Sequence, residues 1–297
     1  MVLRDVNTFG ILGAGTLGWK IGLQAAISGF DVLMLDTSAA QLAQASEFQR
    51  RLLNRCVRKG IQGVTDEELE HILGRISSTT EAARFSESVD FVSESVTEDL
   101  DLKRRVWAQF AGTWRDDAVL TTNTSYLLAS QMADFVGDEA RFCAFHFHDV
   151  FEARVVDIMP HAKTDASVVP FLETLGKRLN QIPVHVQQET PGYLYNFMLM
   201  AFLGAAGHLL STGKADHLAI DRSWMGNMQT RIGPYGMMDM IGLDTVDKIL
   251  SVRTDRRSLA FREAIAPLIA AGHLGVKSGK GFYDYPRPAF TDPSFLG

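Results

Sequence analysis

Cysteine is nearly absent: Cys56 and Cys143 are the only two in 297 residues, and they fall in different segments with no C-x-x-C spacing. Neither a disulfide framework nor a structural zinc site is expected, and a reducing cytoplasm suits such a chain best. An excess of charge of one sign is lacking too. The net charge is −6, and no long run of Lys or Arg offers a footprint for a phosphate backbone, so neither DNA nor RNA is an expected partner. No apolar stretch is expected to reach the ~18 residues of a membrane span. Tyr193 to Leu210 comes nearest, but Asn196, Gly204, Gly207 and His208 interrupt it, and no membrane partner is expected. The first strand should begin by about Thr8, after a short polar start with Arg4 and Asp5, which leaves no room for a signal peptide.

What is present begins with Thr-Phe-Gly-Ile-Leu-Gly-Ala-Gly-Thr-Leu-Gly from Thr8 to Gly18. An apolar helical run follows, then a second strand ending at Asp36. Strand, G-x-G-x-x-G turn, helix, strand and acid in register form a dinucleotide-binding unit. Gly13 allows the tight turn, Gly15 lets the backbone approach a pyrophosphate, and Gly18 lets the helix lie against the sheet. The helix N-terminus opened by Thr16 and Leu17 aims its free N–H groups at the phosphates. Asp36 stands where a carboxylate accepts the ribose hydroxyls and repels a 2′-phosphate. The expected cofactor is therefore NAD rather than NADP.

Further on, strands are expected at Ile76 to Thr79, Phe91 to Ser95, Ala118 to Thr121, Phe142 to Phe147, Val155 to Met159 and Ile182 to Val186. Helices are expected at about Leu100 to Thr113 and Val168 to Leu179. Their alternation argues for a parallel sheet wound on both faces, and Thr65 to Glu68 reads as a capping box. After Gly192 no strand candidate appears until the tail. Tyr193 to Leu210 is apolar nearly all round and suits a helix buried on most sides. A helical half of ~110 residues is too small to hide it alone, so we expect a dimer built there, with the Met-rich segment Met225 to Met240 contributing. The expected fold class is α/β: a Rossmann-type doubly wound sheet over residues 1–188, followed by an all-α C-terminal dimerisation domain over residues 189–297.

Several segments together resemble the L-3-hydroxyacyl-CoA dehydrogenase family. Glu94-Ser-Val-Thr-Glu98-Asp99-Leu100 with Lys103 resembles its E-x-x-x-E-N-L-x-x-K segment, and Thr122-Asn123-Thr124-Ser125 its S-N-T-S turn. His146-Phe147-His148-Asp149 followed by Val155-Val156-Asp157 looks like its H-F-F-N-P and L-V-E pair. Thr190-Pro191-Gly192-Tyr193 with Asn196, Ile232-Gly233-Pro234 with Asp239, and Gly275 to Tyr283 are similar to its C-terminal motifs. The resemblance implies reversible NAD-dependent oxidation of an L-3-hydroxyacyl-CoA to the 3-ketoacyl-CoA, in a homodimer held by the helical domains. His146 would be the base and Asp157 the carboxylate orienting it. Ser125 and Asn196 would hold the substrate oxygen, with Glu98, Lys103 and Asn123 near the nicotinamide and its ribose, and Lys59 on the CoA phosphate.

Independently of the resemblance, hydride removal from a carbinol requires a base for the O–H proton and donors for the developing carbonyl. A histidine is suited to that task near neutral pH. Blander alternatives stand beside each assignment. Ser125 and Asn123 are also ordinary helix caps, Asp99 and Lys103 an ordinary i, i+4 pair, and Arg55, Arg58 and Lys59 a solvated face. His146 and His148, taken as alternating on a strand, are expected to face opposite ways, which argues against a shared metal. The His-Phe-His-Asp-Val run departs from the family motif, and the step from His146 to Asp157 is one residue short, so Asp149 or Glu152 competes as the histidine's partner. Tyr126 stands where the family has Ser. A dehydrogenase of a free hydroxy acid, as in carnitine, gulonate or lambda-crystallin-like relatives, and a non-catalytic NAD-binding protein are the alternatives.

Overall fold

A computed structural model describes residues 5–110, 112–251 and 253–297; Arg4 of the polar start lies outside them. The opening unit folds as its spacing dictates, with β1 (Thr8–Leu12), α1 (Gly18–Ile27) and β2 (Asp31–Leu35). Gly13 turns out of β1 at φ 103°, a conformation that favours glycine. A Cβ on Gly18 would lie 2.0 Å from the Gly13 carbonyl oxygen, so α1 can lie this close to the sheet only with glycine there.

The chain continues through α2 (Ala39–Lys59), α3 (Leu69–Gly74), β3 (Ile76–Thr79), α4 (Ala82–Ser88), β4 (Phe91–Glu94), α5 (Leu100–Ala108) and β5 (Val119–Thr122). It then forms β6 (Phe142–Phe147), β7 (Val155–Met159), α6 (Val168–Arg178) and β8 (Ile182–His185). Ahead of α3 the Thr65–Glu68 capping box is present. The strands form one sheet in the order β3-β2-β1-β4-β5-β6-β7-β8.

The sheet is mixed rather than parallel throughout, because β7 runs antiparallel to β6. The connection from Phe147 to Val155 is too short for a parallel crossover, which needs about a dozen residues or more. Parallel pairing resumes at β8 after α6. Alternation along the strands feeds two cores. Phe9, Ile11, Phe145 and Phe147 face the layer of α1, α2 and α6, while Leu12, Leu120, Phe142 and Ala144 pack with Phe85 and Trp107 on the other side.

The chain divides into two units, Met1–Leu194 and Tyr195–Gly297. The break falls inside α7 (Tyr193–Ser211), after which come α8 (His217–Met228), α9 (Pro234–Ile241), α10 (Leu243–Ser251) and α11 (Arg256–Ala270). Leu203, Ile220, Tyr235, Met238, Phe261 and Ile265 form the second unit's core. Two buried aspartates brace it. Asp221 accepts hydrogen bonds from Tyr235 N, Gly236 N and the Tyr283 hydroxyl, and Asp239 from Phe282 N, Tyr283 N and the Tyr285 hydroxyl. The motifs around Gly233 and Gly275 to Tyr283 are thus the pieces these two carboxylates tie together.

Two expectations about α7 are corrected. It is long and apolar enough to cross a membrane by length and composition, with a mean hydropathy of 1.3 over its most apolar window. Asn196, His208 and the glycines are too few to offset Leu, Met, Phe and Ala, and no charged residue occurs between Tyr193 and Ser211. Nor is the helix buried on most sides in the single chain. Only 17% of that window is buried, and Phe197 and Met198 are 63% and 61% exposed, because the unit has too few elements to cover more than one face.

Candidate active site

The carboxyl ends of β1, β2 and β4 open into a cleft of about 590 Å³, lined by Gly13, Gly15, Asp36, Ser38, Val96 and Arg105 among others. It lies where the strand order reverses between β1 and β4, the place at which doubly wound sheets bind nucleotides. A Cβ on Gly15 would meet nothing closer than the Ser95 carbonyl oxygen at 4.0 Å, so that face of the backbone is open to a ligand. Thr16 is exposed and Leu17 is the N-cap of α1. Asp36 accepts hydrogen bonds from Ala14 N at 3.0 Å and Ser38 N at 2.9 Å, one on each oxygen. Those bonds fix its orientation, and each carboxylate oxygen keeps a lone pair for a hydroxyl donor.

Beside the cleft, Glu94 at the end of β4 is fully buried and takes three donors. Lys103 Nζ and Val96 N both lie 2.7 Å from Oε1, and Thr122 Oγ1 lies 2.7 Å from Oε2. Lys103 is 1% exposed, with Glu98 Oε2 3.7 Å from its ammonium. The enclosed ammonium braces the two glutamates. Asp99 is not its helix partner either, since that side chain caps α5 through Leu102 N.

Glu98 gathers the turn after β5. Its Oε1 accepts from Thr124 Oγ1, Ser125 N and Tyr126 N at 2.5, 3.0 and 2.9 Å. Burial pushes this carboxyl up, but those donors outweigh it and hold it below the ordinary carboxylate range. Ser125 and Asn123 do not cap a helix. Ser125 Oγ lies 3.2 Å from His146 Nε2, and Asn123 Oδ1 accepts from Phe147 N at 2.7 Å.

His146 and Asp157 are direct cross-strand partners in the β6–β7 ladder. Asp157 Oδ2 lies 3.2 Å from His146 Nδ1 and 2.7 Å from His148 Nε2. The expectation that the two histidines face opposite ways is wrong, because side chains two residues apart on a strand share a face. Its use against a metal falls with it. The ligand atoms of His146, His148 and Asp157 all lie within 4.8 Å of one another, and the separations to Asp157 are also those of ordinary hydrogen bonds. Asp149 and Glu152 are not partners of His146. Asp149 accepts from Lys20 Nζ, Phe151 N and Glu152 N, and Glu152 is exposed on the turn.

Burial lowers the His146 imidazole below its ordinary value, opposed by the hydrogen bond to Asp157 and assisted by the charge of His148. Burial acts to raise Asp157, and the two histidines outweigh it to leave the carboxyl low. Tyr193 completes the site and was not foreseen. Its ring stacks on His146 at 4.4 Å and 7°, and its hydroxyl donates to the Thr124 carbonyl at 2.8 Å. It holds φ 54°, a left-handed conformation unusual for an aromatic residue. The one signal in the sequence was Pro191-Gly192 directly before it.

Two further candidates lie elsewhere. Asn196 is half-buried on α7 in the second unit. Lys59 is exposed at the end of α2, and neither it nor Arg55 nor Arg58 has an ion pair among the described residues.

Comparison with known proteins gives the family of the chain. Residues 8–190 match the family model described as 3-hydroxyacyl-CoA dehydrogenase, NAD binding domain, and residues 192–285 match the C-terminal domain of the same family. The chain belongs to the 3-hydroxyacyl-CoA dehydrogenase family. Its first unit carries that family's NAD-binding domain. The chain is 30% identical over 289 residues to the fatty acid oxidation complex subunit alpha of Pseudomonas aeruginosa, covering 96% of this chain and 40% of that protein. It thus spans about two fifths of the length of such relatives. Among solved structures, it is similar to a diketoreductase described for dual catalysis of dicarbonyl compounds, with TM-score 0.90, 30% identity, and 95% of this chain and 100% of that one covered. It is also similar to the (S)-3-hydroxybutyryl-CoA dehydrogenase of Ralstonia eutropha, with TM-score 0.84, 28% identity and coverage of 95% and 100%.

Proposed function

We propose that the protein interconverts L-3-hydroxyacyl-CoA and 3-ketoacyl-CoA with NAD. The observation that carries this is His146, set between Ser125 Oγ at Nε2 and Asp157 at Nδ1. Bound NAD supplies the hydride acceptor. In the oxidising direction, Asp157 accepts Nδ1–H and leaves the Nε2 lone pair of His146 free to take the hydroxyl proton. The carboxylate also stabilises the resulting imidazolium. Ser125 Oγ donates to the substrate oxygen as it becomes a carbonyl, and Asn196, on the helix that begins with Tyr193, is the family's second polar group for that oxygen. Lys59, beside Arg55 and Arg58, is the proposed contact for the CoA phosphate.

A second reading has specific support. His148, Asp149 and Val150 replace the family's Phe-Asn-Pro, Tyr126 is 42% exposed on the substrate turn, and a similar solved enzyme is a diketoreductase. A free dicarbonyl or hydroxy acid is the substrate class this favours. The deciding experiment follows NADH oxidation with acetoacetyl-CoA and with free diketo acids, for the wild type and His146→Ala. Turnover of acetoacetyl-CoA that drops about 10²–10⁴-fold in the variant supports the first reading. Turnover of the free acids alone selects the second, and no turnover of either sinks both.

We also infer a homodimer through the exposed face of α7. An uncovered apolar surface of this kind marks a contact for another protein or a membrane, and Leu203 and Ala206 already commit the helix's other face to the unit's core. Buried free thiols at Cys56 and Cys143 suit a reducing compartment.

A further inference from the structure

We propose that Tyr193 is a positioning residue that acts on the base and on the oxygen donor separately: its ring holds the His146 imidazole, and its hydroxyl holds the peptide that carries Ser125. This rests on the reading of His146 as base and Ser125 as donor, and it adds a residue that neither role requires by itself.

The ring acts on the base. His146 has a hydrogen-bonding partner at each nitrogen, Asp157 Oδ2 at Nδ1 and Ser125 Oγ at Nε2, and both stand at 3.2 Å. That is the long end of the range for such bonds, so they leave the imidazole room to tilt. The phenol ring of Tyr193 lies parallel to it, with centroids 4.4 Å apart and 7° between the planes. Contact on a face leaves both nitrogens unobstructed and removes the motion that two long bonds permit.

The hydroxyl acts on a different target. It donates to the Thr124 carbonyl at 2.8 Å, and the N–H at the other end of that same peptide, belonging to Ser125, donates to Glu98 Oε1 at 3.0 Å. A peptide unit is planar. Held at one end it can still pivot, but a bond at each end fixes its rotation and with it the direction in which the Ser125 side chain leaves the turn. Burial first, and the nearby Asp157 charge second, raise the phenol well above its ordinary range, so it stays a donor wherever the enzyme works. The backbone agrees with this role. Tyr193 is fully buried and takes φ 54° directly after Gly192 at φ 82°, a conformation that persists only where the surroundings impose it.

The test measures kcat and KM with acetoacetyl-CoA or a free diketo acid, whichever the wild type reduces, for Tyr193→Phe and Tyr193→Met, each alone and combined with Ser125→Ala. Proton NMR of the His146 ring in the full chain accompanies it. Tyr193→Phe keeps the stack and loses the tether. Its kcat should fall about threefold to tenfold, the effect of one hydrogen bond, with KM near the wild-type value because the Ser125 contact strengthens in the transition state. In the Ser125→Ala background the same change should cost nothing further, since the hydroxyl acts through Ser125. Tyr193→Met removes the ring as well, so kcat should fall further in both backgrounds. The His146 ring protons, shifted upfield by the stacked phenol in the wild type and by the phenyl in Tyr193→Phe, should then return toward ordinary positions. A purely structural Tyr193 would give losses that add to that of Ser125→Ala. Additive losses for Tyr193→Phe, an unchanged kcat in that variant, or no upfield shift in the wild type overturns the proposal. If Tyr193→Met does not fold, the wild-type and Tyr193→Phe spectra together with the Ser125→Ala cycle decide it. An upfield shift and non-additive losses in an enzyme whose His146→Ala variant keeps full activity would instead remove the base assignment and leave the tether standing.

Discussion

At the scale of single residues, the site is an exercise in satisfying carboxylates. Glu94, Glu98 and Asp157 each collect donors that fix their position, and each fixes a neighbour in turn: Lys103, the Ser125 turn and His146. Asp157 is separated from its rivals by this test, since Asp149 is already bound by Lys20 and two backbone N–H groups. Asp157→Asn should lose turnover by at least about tenfold with little change in NAD affinity, because the charge that stabilises the imidazolium is gone and the tautomer is no longer imposed. Asp149→Asn and Glu152→Gln should stay close to wild type. Steady-state kinetics of the three variants side by side checks this, and an unimpaired Asp157→Asn enzyme would remove the orienting role.

Among the elements, the loop from β4 to α5 does the most to place the chemistry. It starts at Glu94, lines the NAD cleft with Ser95, Val96 and Thr97, and ends by holding the Ser125 turn through Glu98. Lys103, one turn into α5, ties the segment down from beneath. Truncating it leaves Glu94 as a buried charge without its cation, and breaking such a pair costs about 3–5 kcal/mol. Lys103→Ala should therefore lower the unfolding midpoint in denaturant markedly. Lys103→Met, which fills the space but supplies no charge, should not recover it, because the carboxylate remains uncompensated. Recovery by Met would mean that the stem of Lys103 matters only for packing.

For the whole molecule, the open question is what covers α7. Phe197, Met198, Met228 and Met240 are each more than half exposed, whereas Met225 and Met238 are buried in the second unit. The Met-rich segment is thus part core and part surface. We expect light scattering at micromolar concentration to report a dimer, and Phe197→Asp with Met198→Asp to shift it to a monomer by placing charges in a desolvated contact. A wild-type monomer, or a double variant that remains dimeric, places the interface elsewhere. Flotation of the wild type with lipid vesicles would assign the face to a membrane instead.

The elements that local chemistry controls were legible in the sequence. The glycine turn, the acid after β2 and the boundaries of β3, β6 and β7 follow from φ preferences, alternation and turn residues, which act over a few positions. His146, Ser125 and Asp157 were legible as candidates through their resemblance to a family motif. The pairing of His146 with Asp157 was implied by the same resemblance but left in competition with Asp149 and Glu152, because it depends on the antiparallel register of two strands, and that register came from a connection too short to cross over. The placement of Lys103, the stacking of Tyr193 on His146 and the joint claim of two histidines on one oxygen were likewise decided only in three dimensions. Each is a contact between different elements, whether 9 residues apart as for Lys103 and Glu94 or between a strand and the start of α7 as for His146 and Tyr193, and its strength comes from burial that no local pattern records. The exposed face of α7 belongs with them: its composition announces a helix that avoids water, but only the packed unit shows how little of it one chain can cover.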